Sequence, residues 1–127
     1  MRPDKPNDLS KVLFLDIETV PQEYSWNKLN PSSAKLFSDK TRFEQERNEK
    51  TAEEIYSEKG GILAEFGKII CIGVGSVQKS ESGYSLRVTS FQDDDEAVVL
   101  RKFVELLNKH YSADDHWLCG HNGKEFD

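Results

Sequence analysis

The clearest pattern in the chain is an apolar run over residues 11–15 that ends at Asp16. A short, nearly continuous apolar run is typical of a β-strand that is covered on both faces. Residues 68–77 form a second such run, and residues 84–88 alternate between apolar and polar side chains, as in a strand with one polar face. Because residues 80–83 have turn chemistry, these two strands are predicted to form an antiparallel hairpin.

Two other regions favour helices. Residues 22–61 are polar and charge-dense, and within them Thr51 and Glu54 have the spacing of a capping box. The acidic run at residues 93–96 precedes a second helix, and we interpret it as a helix cap rather than a metal cluster, because acidic side chains complement the positive end of a helix. The apolar positions that follow share one helical face: Val99, Leu100, Phe103, Leu106 and Leu107. Residues 116–120 form a last short apolar run, which predicts a fourth strand.

Length and composition indicate one globular domain, residues 1–127. Apolar residues make up 36% and charged residues 31% of the chain, which lies outside the low-hydrophobicity regime of disordered proteins. No apolar run approaches the roughly 20 residues that cross a bilayer, so we expect a cytoplasmic protein with no membrane contact. Cys71 and Cys119 stand in apolar runs and are expected to be buried, unpaired thiols. The sequence does not indicate an oligomeric state.

Asp16 and Glu18 are the first candidates for chemistry. In extended backbone they point to the same side, because side chains alternate with period two. Two carboxylates a few ångströms apart repel each other unless a hard cation such as Mg²⁺ or Mn²⁺ lies between them. An Asp-x-Glu triplet is also common in turns and helix caps, so this pair alone does not define a site.

The segment after the last predicted strand supplies a second group. Asn122 and Asp127 stand five positions apart, with Phe126 directly before the aspartate. Residues 14–20 resemble the first exonuclease motif of 3′-to-5′ exonucleases of the DEDD superfamily, and residues 122–127 resemble the second motif of that superfamily. Within it, the chain is most similar to stand-alone relatives of the exonuclease domain of family-B DNA polymerases.

This resemblance implies an α/β fold of the RNase H-like type. Its mixed sheet has three antiparallel strands first and a fourth strand parallel to the first, with a helical insert after strand one. It also implies two-metal hydrolysis of phosphodiester bonds, with single-stranded DNA that ends in a free 3′ hydroxyl as the substrate and RNA as a possible one. The net charge of −6 argues against a nucleic-acid partner, but bound cations would reverse the local charge.

The resemblance also implies roles for individual residues. Asp16 would bridge both metal ions, Glu18 would complete the site of the ion that activates water, and Asp127 would hold the second ion. Three further residues are candidates for substrate binding: Thr19, Asn122 and Phe126. Asn122 could equally be structural, and Phe126 could anchor the core of a following helix instead of stacking on a base.

The sequence departs from the family pattern in one respect. The superfamily carries a fourth carboxylate and a Tyr or His general base on a third motif, downstream of the second. Residues 1–127 contain no such motif, so we expect them to be the N-terminal portion of the exonuclease domain and inactive alone.

Two other interpretations stay open. An RNase H-like domain can serve as a nucleic-acid or protein binding module without catalysis. A strand followed by an acidic triplet also resembles the first motif of haloacid-dehalogenase-like phosphatases. In that family the second acidic residue is an aspartate, whereas this chain has Glu18, which is one methylene longer.

Overall fold

The structure is a computed structural model that describes residues 6–121. In chain order the strands are β1 (Val12–Pro21), β2 (Gly67–Ser80), β3 (Gly83–Gln92) and β4 (Trp117–Gly120). The helices are α1 (Pro31–Lys40), α2 (Arg42–Asn48), α3 (Ala52–Lys59) and α4 (Glu96–His110). Single 3₁₀ turns precede β1 and α1, at Leu9–Lys11 and Trp26–Lys28.

The four strands form one mixed sheet in the order β3-β2-β1-β4. β1 is parallel to β4, and their pairing runs from Val12 opposite Trp117 to Leu15 opposite Gly120. β2 is antiparallel to both β1 and β3. The sheet predicted from the sequence is therefore confirmed: the first three strands are antiparallel, the fourth is parallel to the first, and helices follow β1.

The first strand is longer than its apolar run. β1 continues to Pro21, so Asp16 and Glu18 lie within the strand, whereas the sequence pattern placed them after it. Both carboxylates are exposed, and Ile17 between them is half-buried. The pattern changes at this point from continuous to alternating because only one face of the strand remains covered.

The hairpin of β2 and β3 closes over a two-residue turn. Ser80 pairs with Gly83, and Glu81 and Ser82 form the turn between them. Gly83 has a φ of 118°, a backbone conformation that side-chain-bearing residues rarely adopt. The predicted antiparallel hairpin is confirmed, although Tyr84, Leu86 and Val88 of β3 are all exposed.

Contacts along the backbone divide the chain into two compact units. Among the described residues, one comprises residues 6–18 and 69–121, and the other comprises Thr19–Lys68. The single domain that the sequence predicts for residues 1–127 stays a prediction.

The core of the first unit lies between α4 and one face of the sheet. Its fully buried members are Leu13, Ile72, Val74 and Val99, and Phe103, Leu106 and Leu107 of α4 pack against them. The predicted apolar face of this helix is confirmed, except that Leu100 lies at its margin and is 37% exposed.

The acidic run before α4 is occupied by structural hydrogen bonds. Asp95 is the N-cap and accepts a hydrogen bond of 3.0 Å from the backbone N–H of Ala97. Glu96 accepts one of 2.5 Å from the N–H of Ile69, and Asp93 accepts one of 2.8 Å from the N–H of Asp95. The interpretation of this run as a helix cap is confirmed.

The second unit has an aromatic core. Phe37, Ile55, Tyr56 and Phe66 are buried, and the rings of Phe37 and Tyr56 meet edge to face with centroids 5.2 Å apart. The Tyr56 hydroxyl donates a hydrogen bond of 2.6 Å to the carbonyl of Glu23, and burial raises the pKa of this phenol. The helices predicted for residues 22–61 are therefore confirmed.

The predicted capping box opens α3. The Glu54 N–H donates to the Thr51 hydroxyl at 3.2 Å, and the Thr51 N–H donates to the Glu54 carboxylate at 2.7 Å. Both orphan donors of the first helical turn are satisfied by these two bonds.

The cysteines are less buried than the sequence suggested. Cys71 is half-buried, but Cys119 is exposed, so the prediction of two buried thiols was wrong for Cys119. Cys119 lies on β4, a four-residue strand at one edge of the sheet, where an apolar run does not ensure cover on both faces. Over residues 6–121, no helix is both long and apolar enough to cross a membrane.

Two glycines of the sheet allow a matched stability test. A Cβ at Gly67 would lie 2.6 Å from the backbone carbonyl oxygen of Gly61, whereas a Cβ at Gly73 would meet its nearest atom at 3.9 Å. We expect Gly67→Ala to lower the free energy of unfolding by about 1–3 kcal/mol, because backbone must move to admit the methyl group. Gly73→Ala should leave it unchanged or raise it by about 0.5 kcal/mol. Urea unfolding followed by circular dichroism checks both values, and equal effects would contradict the close approach at Gly67.

Candidate functional site

Asp16 and Glu18 lie on one side of β1 and are both exposed. They are two positions apart in a strand, so their Cα atoms are separated by about 7 Å. The last pair of the β1–β4 ladder is Leu15 with Gly120, which puts Asp16 directly beyond the end of the parallel pairing. Two carboxylates therefore project from the carboxyl end of the pairing, a common position for reactive groups in α/β sheets.

Within residues 6–121, the side chains of Asp16 and Glu18 form no hydrogen bond or ion pair. Other acids in this unit are engaged: hydrogen bonds from Ser10 lower the pKa of Asp8, and a hydrogen bond from Lys11 lowers the pKa of Asp115. Two neighbouring carboxylates with all their oxygens available are suitable ligands for a hard divalent cation.

The sheet surface beside Asp16 carries little side-chain bulk. Gly73 of β2 lies alongside it, and a Cβ at Gly73 would meet only the carbonyl oxygen of Asp16 within 4 Å. Gly75 lies two positions further along β2, where a Cβ would be 3.8 Å from the Cβ of Phe14. Both glycines lie within β2. A Cβ at either glycine would make only ordinary van der Waals contacts, so this part of the carboxylate face has room for a small side chain.

The second predicted motif lies outside the described residues. β4 ends at Gly120, and His121 after it is exposed. Asn122, Phe126 and Asp127 follow in the sequence, so the expected approach of Asp127 to Asp16 and Glu18 stays a prediction. The structure does describe the direction of β4, which runs parallel to β1 as expected.

Thr19 has a structural role that the sequence did not reveal. Its hydroxyl donates a hydrogen bond of 2.5 Å to the backbone carbonyl of Gly61. Gly61 is packed tightly there, because a Cβ on it would lie 3.0 Å from both the ring and the nitrogen of Pro21. The hydroxyl oxygen of Thr19 can still accept a hydrogen bond, so the predicted contact with substrate stays a prediction.

Asp16 and Glu18 could supply two ligands of a metal site. Among residues 6–121, no group of three or more His, Cys, Asp and Glu side chains is arranged to hold a metal ion. Asp16 and Glu18 form a pair, and the third predicted ligand is Asp127, outside that range. The described part of the chain thus accounts for the first motif of the candidate site.

Comparison of the chain with protein-family models, with curated proteins and with solved structures gave no match.

If the carboxylate of Glu18 binds a metal ion and makes no structural contact, removing its charge should not destabilise the protein. We expect Glu18→Gln to change the free energy of unfolding by less than about 0.5 kcal/mol in metal-free buffer, with any change towards higher stability, because repulsion from Asp16 is relieved. Urea unfolding in the presence of a chelator provides the measurement. A loss of more than about 1 kcal/mol would indicate that Glu18 caps or braces the structure.

The bond from Thr19 can be tested by removing its hydroxyl without changing the shape of the side chain. We expect Thr19→Val to lower the free energy of unfolding by about 1–2 kcal/mol, because the Gly61 carbonyl loses its donor in a half-buried position. Thr19→Ser keeps the hydroxyl and should retain most of the stability. Thermal unfolding of the three proteins side by side is the measurement, and equal stability of Thr19→Val and the parent would exclude a structural role for this bond.

Proposed function

We propose that the chain carries the first two motifs of a metal-dependent 3′-to-5′ exonuclease of the DEDD superfamily. The observation that supports this proposal most directly is the pair formed by Asp16 and Glu18, which are exposed on one face of β1 and have no partner among residues 6–121. The strand order and directions of the sheet are those expected of the RNase H-like fold in which such sites occur. The proposed substrate is the 3′ end of single-stranded DNA, or alternatively of RNA.

The proposed site combines two carboxylates of β1 with a third that follows β4 in the sequence. Asp16 and Glu18 come from β1, and Asp127 stands seven positions after the last residue of β4. Together they would hold two ions of Mg²⁺ or Mn²⁺. Bound at such a site, divalent cations lower the pKa of water and stabilise charge on phosphoryl oxygens. Members of the superfamily also use a fourth carboxylate and a Tyr or His base, carried on a third motif that residues 1–127 do not contain.

The acidic net charge does not oppose this proposal at the site itself. The chain has a net charge of −6, and exposed carboxylates repel phosphates. The carboxylates of β1 would be neutralised locally by the cations that they hold. Substrate attraction should therefore depend strongly on the divalent cation.

We also propose a cytoplasmic location, in agreement with two cysteines that form no disulfide.

The test is an exonuclease assay with the full-length gene product that contains residues 1–127. The substrate is a single-stranded oligonucleotide labelled at its 5′ end, with Mg²⁺ or Mn²⁺ and with EDTA as the metal-free control. We expect stepwise shortening from the 3′ end, and a decrease of at least about 10³-fold in rate for Asp16→Asn and for Glu18→Gln, because each removes a charged ligand.

Two exposed acids outside the proposed site serve as matched controls. Asp114→Asn and Glu81→Gln make the same chemical changes on the surface, at a loop and at the β2–β3 turn, and should retain the parental rate. If the parent protein binds the oligonucleotide but does not shorten it, the result would indicate a nucleic-acid binding module instead of a nuclease. Hydrolysis of p-nitrophenyl phosphate with no action on DNA would indicate a phosphatase.

A further inference from the structure

A groove lies between α4 and the sheet on the face opposite the carboxylates. It has a volume of about 270 Å³, and we call it the α4 groove. Its lining consists of Ser10, Leu13, Val74, Ser76, Gln78, Arg87, Thr89, Leu106, His110 and Tyr111, all within the first unit. Leu13 and Asp16 are three positions apart on β1, so their side chains point to opposite faces of the sheet. The groove is therefore separate from the proposed nuclease site.

The floor of the α4 groove is apolar, and its side chains are held in place by packing in the core of the first unit. Leu13 is 1% exposed and Val74 is 5% exposed, and Leu106 of α4 packs against the same cluster. These side chains belong to the fixed contact between the helix and the sheet. An apolar group entering the groove would therefore meet a preformed surface.

The walls of the groove carry side chains that can form hydrogen bonds. Ser76 pairs with Arg87 across the β2–β3 ladder, and Val74 pairs with Thr89, so these side chains share the face of the sheet on which α4 packs. Arg87 and Thr89 are exposed at its edge. Within residues 6–121, the side chains of Ser76, Arg87, Thr89, Gln78 and His110 form no hydrogen bond or ion pair. By contrast, the hydroxyl of Ser10 is engaged by Asp8 at 2.7 Å.

The charge of the lining favours an anion. Arg87 is permanently protonated and presents several N–H donors in one plane, and no carboxylate side chain is among the lining residues. The groove also meets the C-terminal end of α4, whose carbonyl groups carry partial negative charge. Two basic residues of the last turn, Lys109 and His110, oppose that charge. Ser10 of the lining contacts an acid, Asp8, whose carboxylate accepts hydrogen bonds from the N–H and the hydroxyl of Ser10.

We propose that the α4 groove binds a small organic anion in which a phosphate or carboxylate group is attached to one apolar ring. The anionic group would lie against Arg87 and the hydroxyls of Ser76 and Thr89, and the ring would lie on Leu13, Val74 and Leu106. A volume of about 270 Å³ is at the lower limit for ligand pockets, so a single ring suits it and an oligonucleotide does not. The proposal does not depend on the nuclease function.

The experiment is an NMR titration of the ¹⁵N-labelled chain with four probes of matched structure. Phenyl phosphate and benzoate carry a ring and an anion, phenol carries the ring alone, and inorganic phosphate carries the anion alone. We expect saturable shifts of the backbone signals of Ser76, Arg87 and His110 with at least one ring-bearing anion, and binding at least about tenfold weaker for phenol and for inorganic phosphate. Whichever ring-bearing anion binds more tightly identifies the anionic group.

Substitutions then locate the contacts. Arg87→Gln should weaken binding of the better probe about tenfold, because one charge-assisted hydrogen bond is lost. The matched control is Arg101→Gln on the exposed side of α4, outside the lining, which should leave the dissociation constant unchanged. A dispersed spectrum of each variant confirms that it is folded.

Three outcomes would overturn the proposal: shifts that increase linearly without saturation, shifts confined to residues outside the groove, or equal affinity of the parent and Arg87→Gln. Binding of inorganic phosphate as tight as that of phenyl phosphate would also reject it, because the apolar floor would then contribute nothing.

Discussion

The packing of α4 on one face of the sheet determines where every side chain of β1 points. Leu13 is buried against Val74 and Val99, and this contact fixes which side of β1 faces the helix. Because side chains alternate along a strand, Asp16 and Glu18 must then face away from α4. The carboxylates could be turned inward only by shifting β1 by one residue, which would expose Leu13 and bury charge. The apolar core thus sets the orientation of the candidate site.

Much of the fold is readable from the sequence because its signals are local. The apolar runs of β1, β2 and β4 and the helical spacing after Asp95 each identify an element, and turn residues connect β2 to β3. The end of β1 was harder to predict, because a strand with one open face loses its continuous apolar pattern while its backbone stays extended. Cys119 shows the same limit: an edge strand and a central strand can have equally apolar sequences, and burial depends on what covers them.

The candidate site was only partly predictable for a related reason. The run at residues 93–96 and the pair Asp16 and Glu18 are both acidic, and composition does not separate them. In the fold, Asp95 and Glu96 accept hydrogen bonds from backbone N–H groups. The acids of β1 have no hydrogen-bond or ion-pair partner among residues 6–121. The bond from Thr19 to Gly61 joins residues 42 positions apart, and no local signal reports such a contact. The α4 groove is equally non-local, since its walls come from separate strands and a helix.

The two-residue turn at Gly83 has a consequence for the whole β2–β3 pair. A closure this tight, held by a glycine at a φ of 118°, permits one alignment of the strands. That alignment puts Arg87 and Thr89 on the face shared with Val74, and Leu86 and Val88 on the other face, and all four of these β3 residues are exposed. Inserting a single amino acid between Ser80 and Gly83 would let β3 slide by one position and exchange its two faces. The length of the turn therefore decides which face of β3 carries Arg87 and contributes to the lining of the α4 groove.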